Sequence, residues 1–325
     1  VKIFFEKYKK AIYIFIAFLF AINVFVWQEV FVLCNNKNLK VSYLNVGQGD
    51  SAFIITPQNH QILIDGGPDS TVVSKIAKQI PFWDKSLDLV ILSHPEKDHM
   101  SGLIEVLKRY KVDYILWSGV KMNSPEYLEL LKVLVKQKNL GAKIITAEFG
   151  QKIKVGDLII DILNPQENLF GQDFSKSANE TSVVAKLDYG KNSFLFVGDI
   201  GFETEEKLVA INRYCKEVVT DEAISTAGIA TSSSAGSAHN DGGCVNLNSD
   251  VLKVAHHGSK YSTSEEFLQS VKPNIAIISV GKNSYGHPTP EVISRLDNTG
   301  TKIFRTDQQG DIIIESNGQN LFLSK

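Results

Sequence analysis

The sequence predicts an α/β fold: two mixed sheets packed face to face with helices outside, preceded by one transmembrane helix. Three observations predict it. One apolar block opens the chain, short strand-like runs then alternate with amphipathic ones, and ligand-type residues recur where apolar strands end. The 325 residues suffice for one large domain, and 43% hydrophobic with 22% charged residues is ordinary for a globular chain.

Residues 11–27 read AIYIFIAFLFAINVFVW, with Asn23 the only strongly polar side chain, and the run stays largely apolar to Cys34. A helix needs roughly 20 such residues to cross the hydrocarbon core. Lys2, Lys7, Lys9 and Lys10 precede it. The positive-inside rule therefore makes residues 1–10 a cytoplasmic tail and 11–34 the anchor, with the domain outside the cytoplasm. A cleaved signal peptide is the competing reading, but no small-x-small cleavage site precedes Asn35.

Residues 40–325 form the domain. VSYLNV (41–46), SAFIIT (51–56) and QILIDGG (61–67) read as consecutive strands with Gly and Asp at the turns. A helix is expected over 71–80 and the buried strand LDLVILS over 87–93. Helical spacing returns at 102–110 and 125–138, and strands are expected at 143–146, 157–163, 182–187 and 193–197. The C-terminal part alternates again, with strands at 252–255 and 274–280, helices at 264–271 and 290–299, and short strands near 302–304 and 311–314.

Between 221 and 248 the chain runs through STAGIATSSSAGSAHNDGGC, with little to bury, and reads as a flexible insertion. His239 inside it reads as solvent-exposed. Three cysteines (Cys34, Cys215, Cys244) exclude a disulfide framework and a Cys-rich zinc module; Cys215 and Cys244 bracket the insertion, and a pairing between them is open only if the domain is extracytoplasmic. A net charge of -2 leaves no broad basic footprint for nucleic acid.

The chemistry begins at SHPEKDHMSG, which places His94, Glu96, Asp98 and His99 directly after a buried strand. Imidazole and carboxylate are the donors that hold zinc, manganese and iron. VGDI sets Asp199 at a second strand end, and KVAHHGS sets His256 and His257 at a third. A polar loop or a turn residue explains any one of these. Three strand ends delivering ligand-type residues together point to a shared metal site.

The runs LNVGQGDSAFI, LIDGG, SHPEKDHMSG, VGDI, KVAHHGSKYSTS and SVGKNSYGHPTPEVI, in this order, resemble the hydrolase domain of ComEC-type competence proteins, within the metallo-β-lactamase superfamily. The resemblance covers residues 41 to about 314. It implies an αββα sandwich with two divalent metal ions, zinc or manganese, at one edge of the sheets. It also implies hydrolysis of phosphodiesters, with single-stranded DNA a natural substrate. Glu96 departs from the usual His or Asp and tilts the site toward oxygen-tolerant metals such as manganese. Asn179 stands near the place of a further histidine ligand, so one ion is expected to be weakly held. The many-helix channel of a full-length competence protein is absent, so DNA import would need a separate channel protein.

In that ligand set Asp199 bridges the ions. Asp98, His99 and His257 hold one; His94 and Glu96 hold the other. His256 is assigned to the substrate phosphate, with little to separate it from His257. His287, in YGHP, is a candidate proton donor, the alternative being a loop histidine braced by Pro288. Asp65 is expected to orient the ligand loop, and Ser259 and Lys260 to add phosphate contacts. Two other classes remain: hydrolysis of another ester or amide, such as a phosphocholine ester or a β-lactam, and a non-catalytic subunit with a degenerate site.

Overall fold

The computed structural model describes residues 2–35, 38–175, 177–225 and 245–324. In chain order the elements are α1 (Lys2–Asn35), β1 (Leu39–Tyr43), β2 (Ala52–Ile55), β3 (Gln61–Ile64), α2 (Thr71–Ala77), β4 (Ser86–Leu92), α3 (Lys97–Arg109), β5 (Lys111–Trp117), α4 (Pro125–Asn139) and β6 (Lys143–Thr146). There follow β7 (Lys152–Val155), β8 (Leu158–Asn164), β9 (Val184–Tyr189), β10 (Asn192–Phe196), α5 (Phe202–Ser225), β11 (Val251–Lys253), α6 (Glu265–Val271) and β12 (Ile275–Ile278). The chain closes with α7 (Pro290–Asn298), β13 (Lys302–Arg305), α8 (Thr306–Gln309), β14 (Ile312–Ser316) and β15 (Leu321–Ser324).

The strands make two mixed sheets, ordered β15-β14-β1-β2-β3-β4-β5-β6 and β13-β12-β11-β10-β9-β8-β7. Alternation along each strand feeds two different cores. Ile62 and Ile64 of β3 point inward to meet Ile160, Phe194 and Ile277 of the facing sheet. Leu63, between them, points outward onto Val72 of α2 and Leu103 and Leu107 of α3. In the second sheet Leu195, Leu252 and Ala276 back onto Leu208 of α5, Phe267 of α6 and Leu296 of α7. Both faces of each sheet are thus covered, as the alternating pattern predicts.

Strand direction sorts the molecule into two edges. β1, β3, β4, β5 and β6 run one way in the first sheet, with β2 antiparallel between β1 and β3. β10, β11, β12 and β13 run parallel in the second. The turns after β3, β4, β10 and β11 meet at one edge, linked by the Val183 N–H donating to the Ser93 carbonyl (2.8 Å) and the His256 N–H to the Gly198 carbonyl (3.2 Å). Chain entry at Leu39 lies at the opposite edge, where β1 begins.

Several elements lie beyond the sequence reading. β5, β7, β15 and α5 were not among the expected ones, and α3 starts five residues before the expected 102, so that Asp98 and His99 sit in its first turn. α5 runs on to Ser225, into the start of the expected insertion, and Val245 and Leu247 at its far end are buried in the outer core. Cys215 is buried and its Sγ accepts from the Val245 N–H (3.2 Å). His239 and Cys244 lie outside the described residues. Of α1, the stretch Tyr8–Gln28 is long and apolar enough to cross a membrane, and none of it is buried against the domain.

Candidate metal centre

Four strand-end segments converge. Asp65 follows β3, His94 follows β4, Asp98 and His99 open α3, Asp199 follows β10, and His256 and His257 follow β11. Asp98, His99, Asp199 and His257 each offer a ligand atom within 4.8 Å of the others. His99 Nε2 lies 3.3 Å and His257 Nε2 3.4 Å from the same oxygen, Asp199 Oδ2, and His257 Nε2 lies 3.2 Å from Asp98 Oδ2. Four donors about 2.0 Å from a tetrahedral ion stand about 3.3 Å apart. The donor set therefore fits a divalent ion in spacing as well as in chemistry.

The other nitrogen of each ring is already committed. His99 Nδ1 donates to Asp65 Oδ2 (2.9 Å), and His257 Nδ1 donates to the Ser279 carbonyl (2.9 Å). Asp65 also accepts from the Ser93 N–H (2.7 Å) and Ser93 Oγ (2.7 Å). With its proton spent on Asp65, Ser93 Oγ accepts from His94 Nδ1 (3.0 Å). That leaves His94 Nε2 a bare lone pair, buried and without a hydrogen-bond partner, while the buried His99 Nε2 faces Asp199 Oδ2. The His94 and His99 rings lie close, 4.2 Å between centroids, and are tilted 52° to one another. Orphaned buried imidazole nitrogens are costly unless something else takes the lone pair.

Charge follows the same geometry. Burial, with the neighbouring His99, pushes His94 down to about 3, so it is neutral. Burial would also depress His257, but Asp199 and Asp50 outweigh it and raise the ring to about 10. His99 is raised well above its usual value, Asp199 and Asp65 overcoming burial. Asp199 and Asp98 are held low despite burial, Asp199 by His257 and His99, Asp98 by His257 and His99. Burial raises Asp65 and Glu96, with Asp98 adding to the shift at Glu96.

Two buried residues here were not singled out from the sequence. Asp50, from GQGD, is 5% exposed and lies 3.3 Å from His257 Nδ1. Lys253, in the apolar strand β11, is 3% exposed; it pairs with Asp50, lies 3.6 Å from Asp199 Oδ1 and donates to the Gly198 carbonyl (3.1 Å). Asp50, Asp65 and His99 form a second ligand-type group sharing His99 with the first. The signal for Lys253 was available: a lysine in an otherwise apolar three-residue strand needs a buried partner.

A cleft of about 550 Å³ opens over the cluster, walled by Glu96, Asp98, Met122, His256, His257 and His287. Glu96 lines this wall but is not within the four-donor group. His256 is held in left-handed backbone (φ 49), as is His257 (φ 54), an uncommon conformation for residues with a Cβ. It turns the two rings to different tasks. His257 is buried on the cluster, while His256 is half-buried, 4.0 Å from Asp199 Oδ2 and 5.7 Å from the His287 ring. Burial lowers both His256 and His287. Asn179 Nδ2 is 3.5 Å from His256 Nδ1. Ser259 and Lys260 do not line the cleft: Ser259 is buried with its Oγ accepting from the Tyr261 N–H (3.4 Å), and Lys260 Nζ lies over the Tyr261 ring, 5.1 Å from its centroid. A larger groove of about 1060 Å³ lies at the opposite edge among Lys272, Asn274, Thr299 and Lys302, with no ligand-type cluster among the described residues.

Among curated proteins, the ComE operon protein 3 of Bacillus subtilis (strain 168) is 29% identical over 297 residues, 86% of this chain and 33% of that protein. The Competence protein ComA of Neisseria gonorrhoeae is 29% identical over 272 residues, 83% of this chain and 31% of that protein. The chain thus spans about a third of the length of these relatives. Among solved structures, the metallo-beta-lactamase fold protein YhfI from Bacillus subtilis superposes with a TM-score of 0.50 at 12% identity, over 86% of this chain and 99% of that one, a likeness of fold alone. The family model of the Metallo-beta-lactamase superfamily matches residues 44–282, which takes in every strand end that builds the centre, and the chain belongs to that superfamily.

Proposed function

We propose that this metal-dependent hydrolase, related to competence proteins over most of its length, cleaves phosphodiesters, with single-stranded DNA the substrate that the motif resemblance implies. The observation that carries the reading is the buried Asp98, His99, Asp199 and His257 cluster opening directly onto a cleft that also holds His256 and His287. Asp98, His99, Asp199 and His257 would hold one divalent ion, and His94, Asp199 and Glu96 a second. Bound ions of this kind supply Lewis acidity toward a phosphoryl oxygen and toward water.

The chain's own residues do the rest. Asp65 and the Ser279 carbonyl fix the tautomers of His99 and His257, so each presents Nε2 to the centre. His256 and His287, kept neutral near pH 7 by burial, offer N–H donors to non-bridging phosphate oxygens. Tyr285, 73% exposed at the cleft's rim, offers an aromatic face on which a base can stack. The helix Tyr8–Gln28 supports a single-pass anchor, and Lys2, Lys7, Lys9 and Lys10 at and before its N-terminal end support a domain on the outer face.

The test is hydrolysis of bis-p-nitrophenyl phosphate and of single-stranded DNA by the metal-stripped chain, then with manganese and with zinc, beside Asp199→Ala. Metal-restored cleavage of both substrates, lost in Asp199→Ala, is the expected outcome. Cleavage of the small ester alone moves the substrate to another phosphate ester, and silence on both with metal bound removes the phosphodiesterase reading.

A further inference from the structure

The strongest feature outside the centre is a pair of aromatic rings at the far edge. Pro81, Phe82, Trp83 and Asp84 make a tight turn between α2 and β4, closed by the Asp84 N–H donating to the Pro81 carbonyl (2.9 Å). The turn is braced: the Asp84 carboxylate accepts from the Ser86 N–H (3.1 Å), Ser86 Oγ (2.8 Å) and Gln61 Nε2 (2.6 Å). Phe82 and Trp83 occupy its two central positions and point away from both cores, 81% and 58% exposed, their rings edge to face at 4.8 Å. A turn built to hold two large aromatic side chains in water is unlike the scattered exposed apolar residue that every surface carries.

Its position says what covers it. Ser86 begins β4 at the edge where Leu39 begins β1, since β1, β3 and β4 run the same way. Three strand spacings separate them, about 14 Å. Leu39 is four peptide steps from the end of α1 at Asn35, so about 15 Å at most separates this edge from that helix. Exposed Lys85, Lys111 and Lys143 lie at the starts of β4, β5 and β6 along the same edge, and exposed Lys78 at the end of α2, against Asp84, which is already bonded, and Asp113, which is 3.9 Å from Lys111. Aromatic rings beside lysines, next to a membrane-crossing helix, are the composition of a bilayer interface.

We propose that Phe82 and Trp83 form a second membrane contact, seated in the headgroup region of an anionic bilayer and flanked by these lysines. This rests on α1 being an uncleaved anchor. The two attachments, one covalent through Leu39 and one through the turn, fix the tilt of the domain. The metal centre lies at the opposite edge, one β4 length away, about 23 Å. It therefore faces the aqueous phase, and its substrate arrives from solution rather than from the lipid.

The test uses the full chain carrying Trp27→Phe, reconstituted in phosphatidylcholine vesicles with and without phosphatidylglycerol, with bromine on the upper acyl carbons. Flotation is read first, then tryptophan quenching against the same protein carrying Trp83→Phe as well; the remaining Trp117 is buried in the core. The expected result is flotation of both, with quenching that is stronger with phosphatidylglycerol and lost on removing Trp83. In the unmodified chain, amide exchange over residues 80–86 is expected to slow in vesicles relative to detergent. A chain that does not float overturns the anchor and the second contact with it. A chain that floats with equal quenching in both proteins, and unprotected amides, overturns the second contact alone. Protection of the turn only on adding another protein assigns it to a protein partner and overturns the lipid reading.

Discussion

At the residue scale, the centre is a set of imidazoles aimed by buried acids. Asp65 binds His99 and Ser93 together, and Ser93 in turn fixes His94. Asp65→Asn is expected to weaken metal affinity about 10- to 100-fold, read by competition with a chromophoric chelator. Lys253→Met removes one cation from a buried group in which Asp50 keeps the protonated His257 ring 3.3 Å away. A loss of about 1–3 kcal/mol in urea unfolding of the metal-free chain is expected. The pH dependence has a definite sign. In the metal-free chain His257, raised from 6.5 to about 10, adds stability that is complete below pH 6.5 and lost as pH rises through 10. An ion must displace that proton, so metal affinity climbs between pH 6.5 and 10 and binding at pH 7 releases protons. Calorimetry in buffers of different ionisation enthalpy measures the release, and none is expected in His257→Ala from this ring. His94, His99, Asp199 and His257 stood out in the sequence because three separate strand ends each deliver ligand-type residues. Asp50 and Lys253 were not, since a turn aspartate and one strand lysine look ordinary until folding buries them together.

At the element scale, the centre depends on how closely α3 seats against the loop after β3. The Gly66 N–H donates to the His99 carbonyl (2.8 Å) and the Gly102 N–H to the Gly67 carbonyl (2.9 Å). A Cβ at Gly102 would overlap the Gly66 and Asp69 carbonyl oxygens. Gly102→Ala is therefore expected to push α3 outward, costing metal binding as well as stability, since Asp98 and His99 ride on its first turn. A second junction is pH-sensitive. Glu205 of α5 is buried and accepts the Thr263 and Ser264 N–H groups at the start of α6. Burial outweighs these bonds and raises it from 4.5 to about 7. Folded protein then binds the proton more tightly than unfolded, so stability falls as pH rises from 4.5 to about 7 and is flat above, by about 3 kcal/mol in all. The wild-type minus Glu205→Gln difference in unfolding free energy across that window isolates the effect. The central strands were readable as short apolar runs between turn residues, because both of their faces are covered, and the helices by their apolar stripe. β5 escaped because KVDYILW exposes Asp113 and Tyr114 side by side and breaks the alternation, and α5 because its buried face mixes Thr204, Glu205 and Asn212 with Leu208 and Val209 and so shows no clean apolar stripe.

At the scale of the whole molecule, the metal donors come from both sheets. His94, Asp98 and His99 hang from the first sheet, Asp199 and His257 from the second. In the metal-free chain buried carboxylates and imidazolium rings attract one another across these segments, beside the Val183 N–H bond to the Ser93 carbonyl and the Lys253–Asp50 pair. An ion adds bonds that tie one sheet edge to the other. Linkage sets the size of the effect: an ion at 1,000 times its dissociation constant adds about 4 kcal/mol if the unfolded chain does not bind it. Chelator is therefore expected to lower the melting temperature of the full chain in detergent, and added manganese or zinc to restore it. Asp199→Ala, which removes the oxygen shared by both histidine contacts, is expected to melt at one temperature whether or not chelator is present. A wild-type chain equally indifferent to chelator, with metal analysis confirming loading, would show that the unfolded chain holds the ion as tightly as the folded one, and would remove the centre as a tie between the sheets.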